Sequence, residues 1–391
     1  MNDFLILAIV TPLVVLAPYV SKVIRMPVAV LEILFGMLGA YAGLFAPSHG
    51  FDLMAEVGFL FLMFLCGMEV DLYMFKQLDK SLLKRILGYF GVLYVLSSTI
   101  TLSAKLPALY IIILPIVSLG MIMTLVREYG KEVPWLDLVL KVGVLGELTS
   151  IVLLVIVDGI YLHGLSSQLS RTLGILLAFM VALVGLVQLF KILFWWFPRL
   201  KLFIMPPDNE SNQDIRFTVM LFFGLVVIVG WLKLELVLGA FLAGTIVSTF
   251  FPHKHELFDK LNDVGFGFFV PLFFVHVGST LDLKLIIANP GLISHACAIV
   301  CAMFALHVSA SFTLFGRHFR NLWHTGLFAL SASMPLTFLI TAASVGLRVG
   351  AIDQNTYYSL VIAAIFEGVL FTSTIKFLMR AKSLQKNPHS S

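Results

Sequence analysis

One glutamate sits where a charge is hardest to keep. Glu147 lies in Lys141-Val-Gly-Val-Leu-Gly-Glu-Leu-Thr-Ser-Ile-Val-Leu-Leu-Val-Ile156, inside an apolar run from about Trp135 to Leu162. At 1.5 Å of helical rise per residue it falls about 18 Å from the start of that run, near the middle of a bilayer core about 30 Å thick. Insertion scales put a charged side chain there at roughly 2.5–3.5 kcal/mol, and other estimates run higher. A proton or a bound cation removes that cost. A group that accepts either one is the minimal part of a proton-coupled cation carrier. The plainer alternative is a buried glutamate that only hydrogen-bonds a neighbouring helix; the default for intramembrane acids favours function.

Hydroxyls and helix breakers supply the rest of a candidate ion shell. Pro115-Ile-Val-Ser-Leu-Gly120 and Ser331-Ala-Ser-Met-Pro-Leu-Thr337 each interrupt an apolar run. Proline removes a backbone donor and glycine relaxes the helix. The freed carbonyls, with Ser118, Ser333 and Thr337, are suited to hold a bare monovalent cation beside Glu147. Broken backbone at membrane depth is tolerated where it lines a cavity; a simple proline kink is the alternative. Thr149 and Ser150 follow Glu147 closely enough to orient it, unless they bond back to their own helix. His307 is near mid-membrane in its run, as a proton-sensing or charge-balancing group or a neutral interhelical bonder. Glu367 is central in the last run, as a second carboxylate or, preferred here, as a scaffold group paired with a polar neighbour. Glu69, Asp71 and Asp282 close their helices near a face and read as interfacial charges; Glu32 and His276 stay ambiguous.

These groups are carried by an all-α polytopic membrane protein. The 391 residues are 60% hydrophobic and 12% charged, which leaves no water-soluble domain of useful size. Hydropathy predicts thirteen spans, at roughly 4–20, 28–45, 54–70, 86–103, 108–127, 135–162, 173–197, 216–232, 236–250, 264–279, 292–314, 325–347 and 357–379. Loops after odd-numbered spans hold most of the Lys and Arg, among them Lys76, Lys80, Lys84 and Arg85, and the tail adds Arg380, Lys382 and Lys386. The other face has Lys105, Arg171, Lys233, Lys284 and Arg348. The positive-inside rule then predicts an outer N-terminus and a cytoplasmic C-terminus in the bacterial inner membrane. The start, Met-Asn-Asp-Phe-Leu-Ile-Leu, has no basic segment or cleavage site and reads as a retained first helix.

An internal repeat is visible. Val57-Gly-Phe precedes Cys66-Gly-Met-Glu-Val-Asp-Leu72, and Val264-Gly-Phe precedes Val277-Gly-Ser-Thr-Leu-Asp-Leu283. Gly-spaced helices, Gly36–Gly43 and Leu238–Gly244, lie upstream of each, suiting close packing more than a dimer face. The repeat is offset by an odd number of spans, so its copies are inverted, as in secondary transporters. A single transporter domain is expected: 1–162 as first repeat, 173–197 as linker helix, 216–379 as second repeat and 380–391 as a short cytosolic tail. The two discontinuous helices would cross at the midplane.

Other classes find no support. No His-Glu-x-x-His, phosphate-cradling Gly-Lys-Ser/Thr loop or Gly-x-Ser-x-Gly is present, so no enzyme and no cofactor is expected. No basic tract suits nucleic acid. Cys66, Cys297 and Cys301 lie in apolar runs and offer no disulfide framework, and Cys297 and Cys301, four residues apart, read as packing residues.

Four stretches resemble the monovalent cation:proton antiporter-2 family: Pro27-Val-Ala-Val-Leu-Glu-Ile-Leu-Phe-Gly36, Gly67-Met-Glu-Val-Asp-Leu72, Leu238-Gly-Ala-Phe-Leu-Ala-Gly244 and Leu272-Phe-Phe-Val-His-Val-Gly-Ser-Thr-Leu-Asp-Leu283. The resemblance covers nearly the whole chain. It implies the thirteen-span bacterial sodium/proton antiporter fold, a homodimer, and a core domain moving against a panel domain. Three positions depart from the family pattern. Gly146-Glu147 stands where electrogenic relatives have two adjacent acids, His307 where they have a lysine, and Ser333-Met-Pro-Leu-Thr337 where related proteins carry a charged Arg-Gly-Glu-like stretch. The expectation is exchange of Na⁺ or K⁺ for H⁺ by alternating access, electroneutral because one carboxylate trades one proton for one cation; a titrating His307 or Glu367 would add a second proton. A passive cation channel and a non-transporting sensor are the competing classes.

Overall fold

The computed structural model describes residues 3–24, 26–44, 48–70, 79–130, 132–163, 167–197, 199, 212–251, 255–319 and 321–386. Asp71 and most of the polar linker before Gln213 lie outside them. In chain order the helices are α1 (Asp3–Ile24), α2 (Val28–Tyr41), α3 (His49–Met68), α4 (Lys80–Ser103), α5 (Tyr110–Ile113), α6 (Leu119–Tyr129), α7 (Pro134–His163), α8 (Ser167–Trp196), α9 (Gln213–Trp231), α10 (Leu236–Phe250), α11 (His255–Val264), α12 (Val270–Ser279), α13 (Leu283–Ala288), α14 (Pro290–Phe319), α15 (Leu322–Ala332), α16 (Leu336–Arg348) and α17 (Gln354–Lys386). A π-helical turn, Gly265–Phe269, joins α11 to α12.

Among the described residues ten helical stretches are long and apolar enough to cross a membrane, and α2 and α10 are shorter apolar helices. The span 108–127 is interrupted, as its Pro115–Gly120 stretch predicts: it is α5, a non-helical stretch at 114–118, and α6. The stretch Leu322–Arg348 is likewise divided, at 333–335. Each interruption contains a proline, Pro115 or Pro335, whose ring and missing N–H end the preceding helix.

The chain forms two compact units. The first comprises 1–7, 47–77 and 162–276. Its heart is the contact of α3 with α10, made backbone to backbone. A Cβ on Gly67 would collide with the Phe241 carbonyl oxygen, and one on Gly244 with that of Phe64. Thr245 and Ser248 then reach across to the Gly67 and Val70 carbonyls at 3.3 and 2.8 Å. The Gly-spaced α10 is therefore a packing face. Phe61, Phe64, Phe222 and Phe269 fill the surrounding space with tilted and edge-on ring contacts.

The second unit comprises 8–46, 78–161 and 277–391. Helix α14 packs against α4, α15 and α17, and α16 against α17. Tyr89, Phe315 and Phe328 meet at this junction with ring centroids 4.9–5.7 Å apart. Cys297 and Cys301 do not pack here, contrary to the sequence-based expectation. They lie on an exposed stripe of α14, because the core-facing stripe of that helix runs through Ala296, Val300, Met303 and His307 instead.

Candidate ion-binding site

Both interruptions, Glu147, His307 and Glu367 belong to the second unit. Helix α7 brings Glu147 to the first interruption, where it is fully buried. Helix α6 begins at Leu119, and Ser118, in extended conformation, makes no side-chain cap. The first N–H groups of a helix have no intrahelical partner. Glu147 supplies one from another helix: Leu119 N–H donates to Oε2 at 3.0 Å. The N-terminal end of a helix also favours a negative group through its dipole. The carboxylate is thus anchored through one oxygen, while Oε1 is buried without a hydrogen-bond partner.

The two interruptions meet at this point. Ser118 Oγ lies 2.7 Å from Thr337 Oγ1, in the first turn of α16. Ser118 also interacts with the Glu147 carboxylate. When Thr337 donates to Ser118, the Ser118 proton is free to point at the carboxylate, giving a relay from α16 to α7. On the other side Gly146 closes against the first interruption. A Cβ there would stand 3.0 Å from the Val117 Cβ and 3.4 Å from the Val117 carbonyl oxygen. Ser97 of α4 holds short α5 in place by reaching the Tyr110 and Ile111 carbonyls at 3.1 and 3.0 Å.

Of the residues expected at the site, Glu147, Ser118 and Thr337 are brought together. Thr149 and Ser333 spend their hydroxyls on their own helices, at the Leu145 and Ala329 carbonyls (2.7 and 2.8 Å). His307 approaches the first interruption from α14. Its Nδ1 lies 2.9 Å from the Met303 carbonyl, and the ring interacts with the Ile116 carbonyl, although no complete hydrogen bond reaches Nε2. Glu367 is fully buried, and neither of its oxygens has a hydrogen-bond partner. The hydrogen-bonded polar neighbour expected for it in the scaffold is not found among the described residues; nearby on α17, Gly368 lies against Val30 and Leu336, and Thr372 against the Met334 sulfur.

Asp282 and His276 have local roles. Asp282 caps α13, accepting from the Lys284 and Leu285 N–H groups. His276 pairs with Asp52 at 2.9 Å in the first unit. Sequence reasoning missed the Leu119 amide and the Gly146–Val117 contact. A backbone donor exposed by a break and a contact across helices leave no mark on residue type.

A buried carboxylate with one oxygen held and one open, beside two hydroxyls and an unwound backbone, can take up a proton or a desolvated monovalent cation. The family described as sodium/hydrogen exchanger, transmembrane, matches residues 9–381. The chain belongs to this family. It is 26% identical to "Putative Na(+)/H(+) antiporter YjbQ" of Bacillus subtilis, across 96% of this chain and 62% of that protein's own length. It is 22% identical to "Probable Na(+)/H(+) antiporter 3" of Methanocaldococcus jannaschii, across 97% of each. A third relative, "Na(+)/H(+) antiporter" of Enterococcus hirae, is 24% identical across 96% of this chain and 97% of its own. Family members are cation/proton antiporters, so the exchanger is a multi-pass membrane protein of that transport class.

Proposed function

We propose that this exchanger carries Na⁺ or K⁺ against H⁺ through Glu147, by alternating access. The observation that supports this most directly is the Glu147 carboxylate bonded to Leu119 N–H, where the two interrupted helices meet through Ser118 and Thr337. In the proton-loaded state Glu147 is a neutral acid. In the cation-loaded state the carboxylate holds the ion, with the Ser118 and Thr337 hydroxyls and carbonyls of the interruptions completing the shell. Both loaded states are electrically neutral and can be carried across a low-dielectric barrier; the empty carboxylate cannot. That difference couples the two fluxes. At Glu147 alone the exchange is one for one and moves no net charge. Ser333 and Thr149 join the shell only if their hydroxyls turn away from their own helices.

The finer assignments belong to the same proposal. The chain is a monovalent cation:proton antiporter-2 member with thirteen spans, two inverted repeats and a linker helix at 173–197. It works as a homodimer in the bacterial inner membrane, N-terminus outside and C-terminus cytoplasmic, without a cofactor. The first compact unit corresponds to the panel domain and the second to the core domain. Two pseudo-symmetric features support the repeat: Glu147 lies 32 residues after Pro115, and Glu367 lies 32 residues after Pro335.

Reconstitution into proteoliposomes with an imposed pH difference tests the function. Cation accumulation against its own gradient, lost in Glu147→Gln, is the expected result. Downhill cation flux without proton coupling would show a channel, and no flux under any gradient a non-transporting protein.

A further inference from the structure

Two buried acceptors approach the first interruption, and neither has a hydrogen-bond donor among the described residues. Glu147 is fixed through Oε2, and its Oε1 is unpartnered. His307 supplies the other. Its Nδ1 lies 2.9 Å from the Met303 carbonyl, which can only accept, so Nδ1 carries the proton of the neutral ring and Nε2 a lone pair. Nε2 is buried and unpartnered as well. Tyr89 packs edge-on against the ring with centroids 6.4 Å apart, but its hydroxyl interacts with Ser311 and not with Nε2. The ring also meets the Ile116 carbonyl, and that oxygen receives no backbone N–H among the described residues. The unwound stretch is therefore met by a carboxylate oxygen from α7 and an imidazole lone pair from α14, and adds a carbonyl of its own.

An alkali ion would satisfy the oxygens and leave the imidazole aside, because hard cations take oxygen ligands in preference to nitrogen. Ammonium carries the same charge but binds by donating. Its N–H groups form charge-assisted hydrogen bonds to lone pairs on oxygen and nitrogen alike. We infer that the Glu147 site takes ammonium in preference to Na⁺ or K⁺, with N–H groups donating to Glu147 Oε1, His307 Nε2 and the Ile116 carbonyl. This rests on the proposed cation exchange at Glu147 and names the cation that its acceptors match best. Neutral His307 then sets specificity as a ligand of the substrate. A buried acceptor left unpaired bears its full desolvation cost, so the one that ammonium reaches and an alkali ion does not is worth roughly tenfold in affinity. The charge balance of the cycle is unchanged: Glu147 releases its proton as ammonium arrives, and one positive charge replaces another.

The test is cation binding to the full chain in detergent, read by thermal melting at fixed pH. Ammonium, sodium or potassium chloride replaces choline chloride at constant ionic strength; choline has no N–H to donate. In the wild type, the half-maximal rise in melting temperature is expected at roughly tenfold less ammonium than Na⁺ or K⁺. His307→Leu should lose this preference by weakening the ammonium response alone. His307→Gln, whose amide oxygen can accept near the place of Nε2, should keep part of it. Glu147→Gln should lose the response to all three cations. A wild-type ammonium response no stronger than those of Na⁺ and K⁺ would overturn the inference, and so would an undiminished preference in His307→Leu. If His307→Leu does not fold, the wild-type comparison decides together with His307→Gln. A rise with Na⁺ or K⁺ and none with ammonium would remove ammonium and leave the exchange reading standing. No response to any cation would remove both. A response to ammonium alone would support the inference and remove Na⁺ and K⁺ as substrates.

Discussion

Leu119 and Glu147 stand 28 residues apart in the chain and are joined by a 3.0 Å hydrogen bond from the Leu119 N–H to Oε2. The bond gives one side chain two duties. It caps the start of α6, and it fixes a buried carboxylate with its other oxygen open to a proton or cation. The two duties can be separated by mutation.

Glu147→Gln keeps an amide oxygen able to accept from Leu119 N–H, so α6 stays capped and the protein should melt like the wild type. Exchange should be abolished, because the amide neither releases a proton nor neutralises a cation. Glu147→Ala should lose exchange and also stability, by about 1 kcal/mol for an absent cap. Melting curves beside proteoliposome flux check both. Near-wild-type flux in well-inserted Glu147→Gln would remove Glu147 from the mechanism.

The Ser118–Thr337 contact predicts an energetic coupling across the two interruptions. Ser118→Ala and Thr337→Val each remove one hydroxyl of a buried 2.7 Å pair. In a double-mutant cycle the coupling should be about 0.5–1.5 kcal/mol, the net worth of such a bond. Both single variants should also raise the cation concentration for half-maximal exchange. Strictly additive effects on stability and on cation affinity would mean that the hydroxyls act independently.

Gly146 leaves little room for a second acid. A Cβ at this position would press on Val117 at 3.0 Å and come within 3.4 Å of the Phe90 ring. Gly146→Ala should destabilise the exchanger by about 1–3 kcal/mol, the usual cost of overpacking. Gly146→Asp should do so more severely, without gaining a voltage-dependent step. A stable, voltage-sensitive Gly146→Asp exchanger would show that the first interruption yields more readily than this packing implies.

Much of the site could be read from residue types, for definite reasons. An acid within an apolar run is conspicuous because membranes penalise it, and Pro115 and Pro335 announce broken helices because they cannot continue a hydrogen-bond ladder. What stayed hidden depends on partners distant in sequence. Thr149 and Ser333 look like ligands by position, yet each bonds the carbonyl four residues back, an option open to any helical hydroxyl. Glu367 looked like a scaffold group because burial of an acid implies a partner, and no hydrogen-bond partner is there.

Glu367 decides the last prediction, which concerns stoichiometry. Its two oxygens are buried and unbonded, so an uncompensated charge there would be left in a medium that solvates it poorly. A Glu367 that keeps its proton throughout the cycle adds no charge movement, and exchange at Glu147 stays one for one. Glu367→Gln should then leave both rate and voltage response as in the wild type. The measurement clamps liposomes with potassium and valinomycin and finds the Na⁺ and pH gradients at which flux reverses. One net charge per cycle would couple to voltage by about 2.3 kcal/mol per 100 mV, roughly a fifty-fold bias in the sustainable ion gradient. The expected reversal point does not move with the clamp. If it moves in the wild type but not in Glu367→Gln, Glu367 carries a second proton; if it moves in both, attention passes to His307, whose Nε2 has no hydrogen-bond partner next to the first interruption.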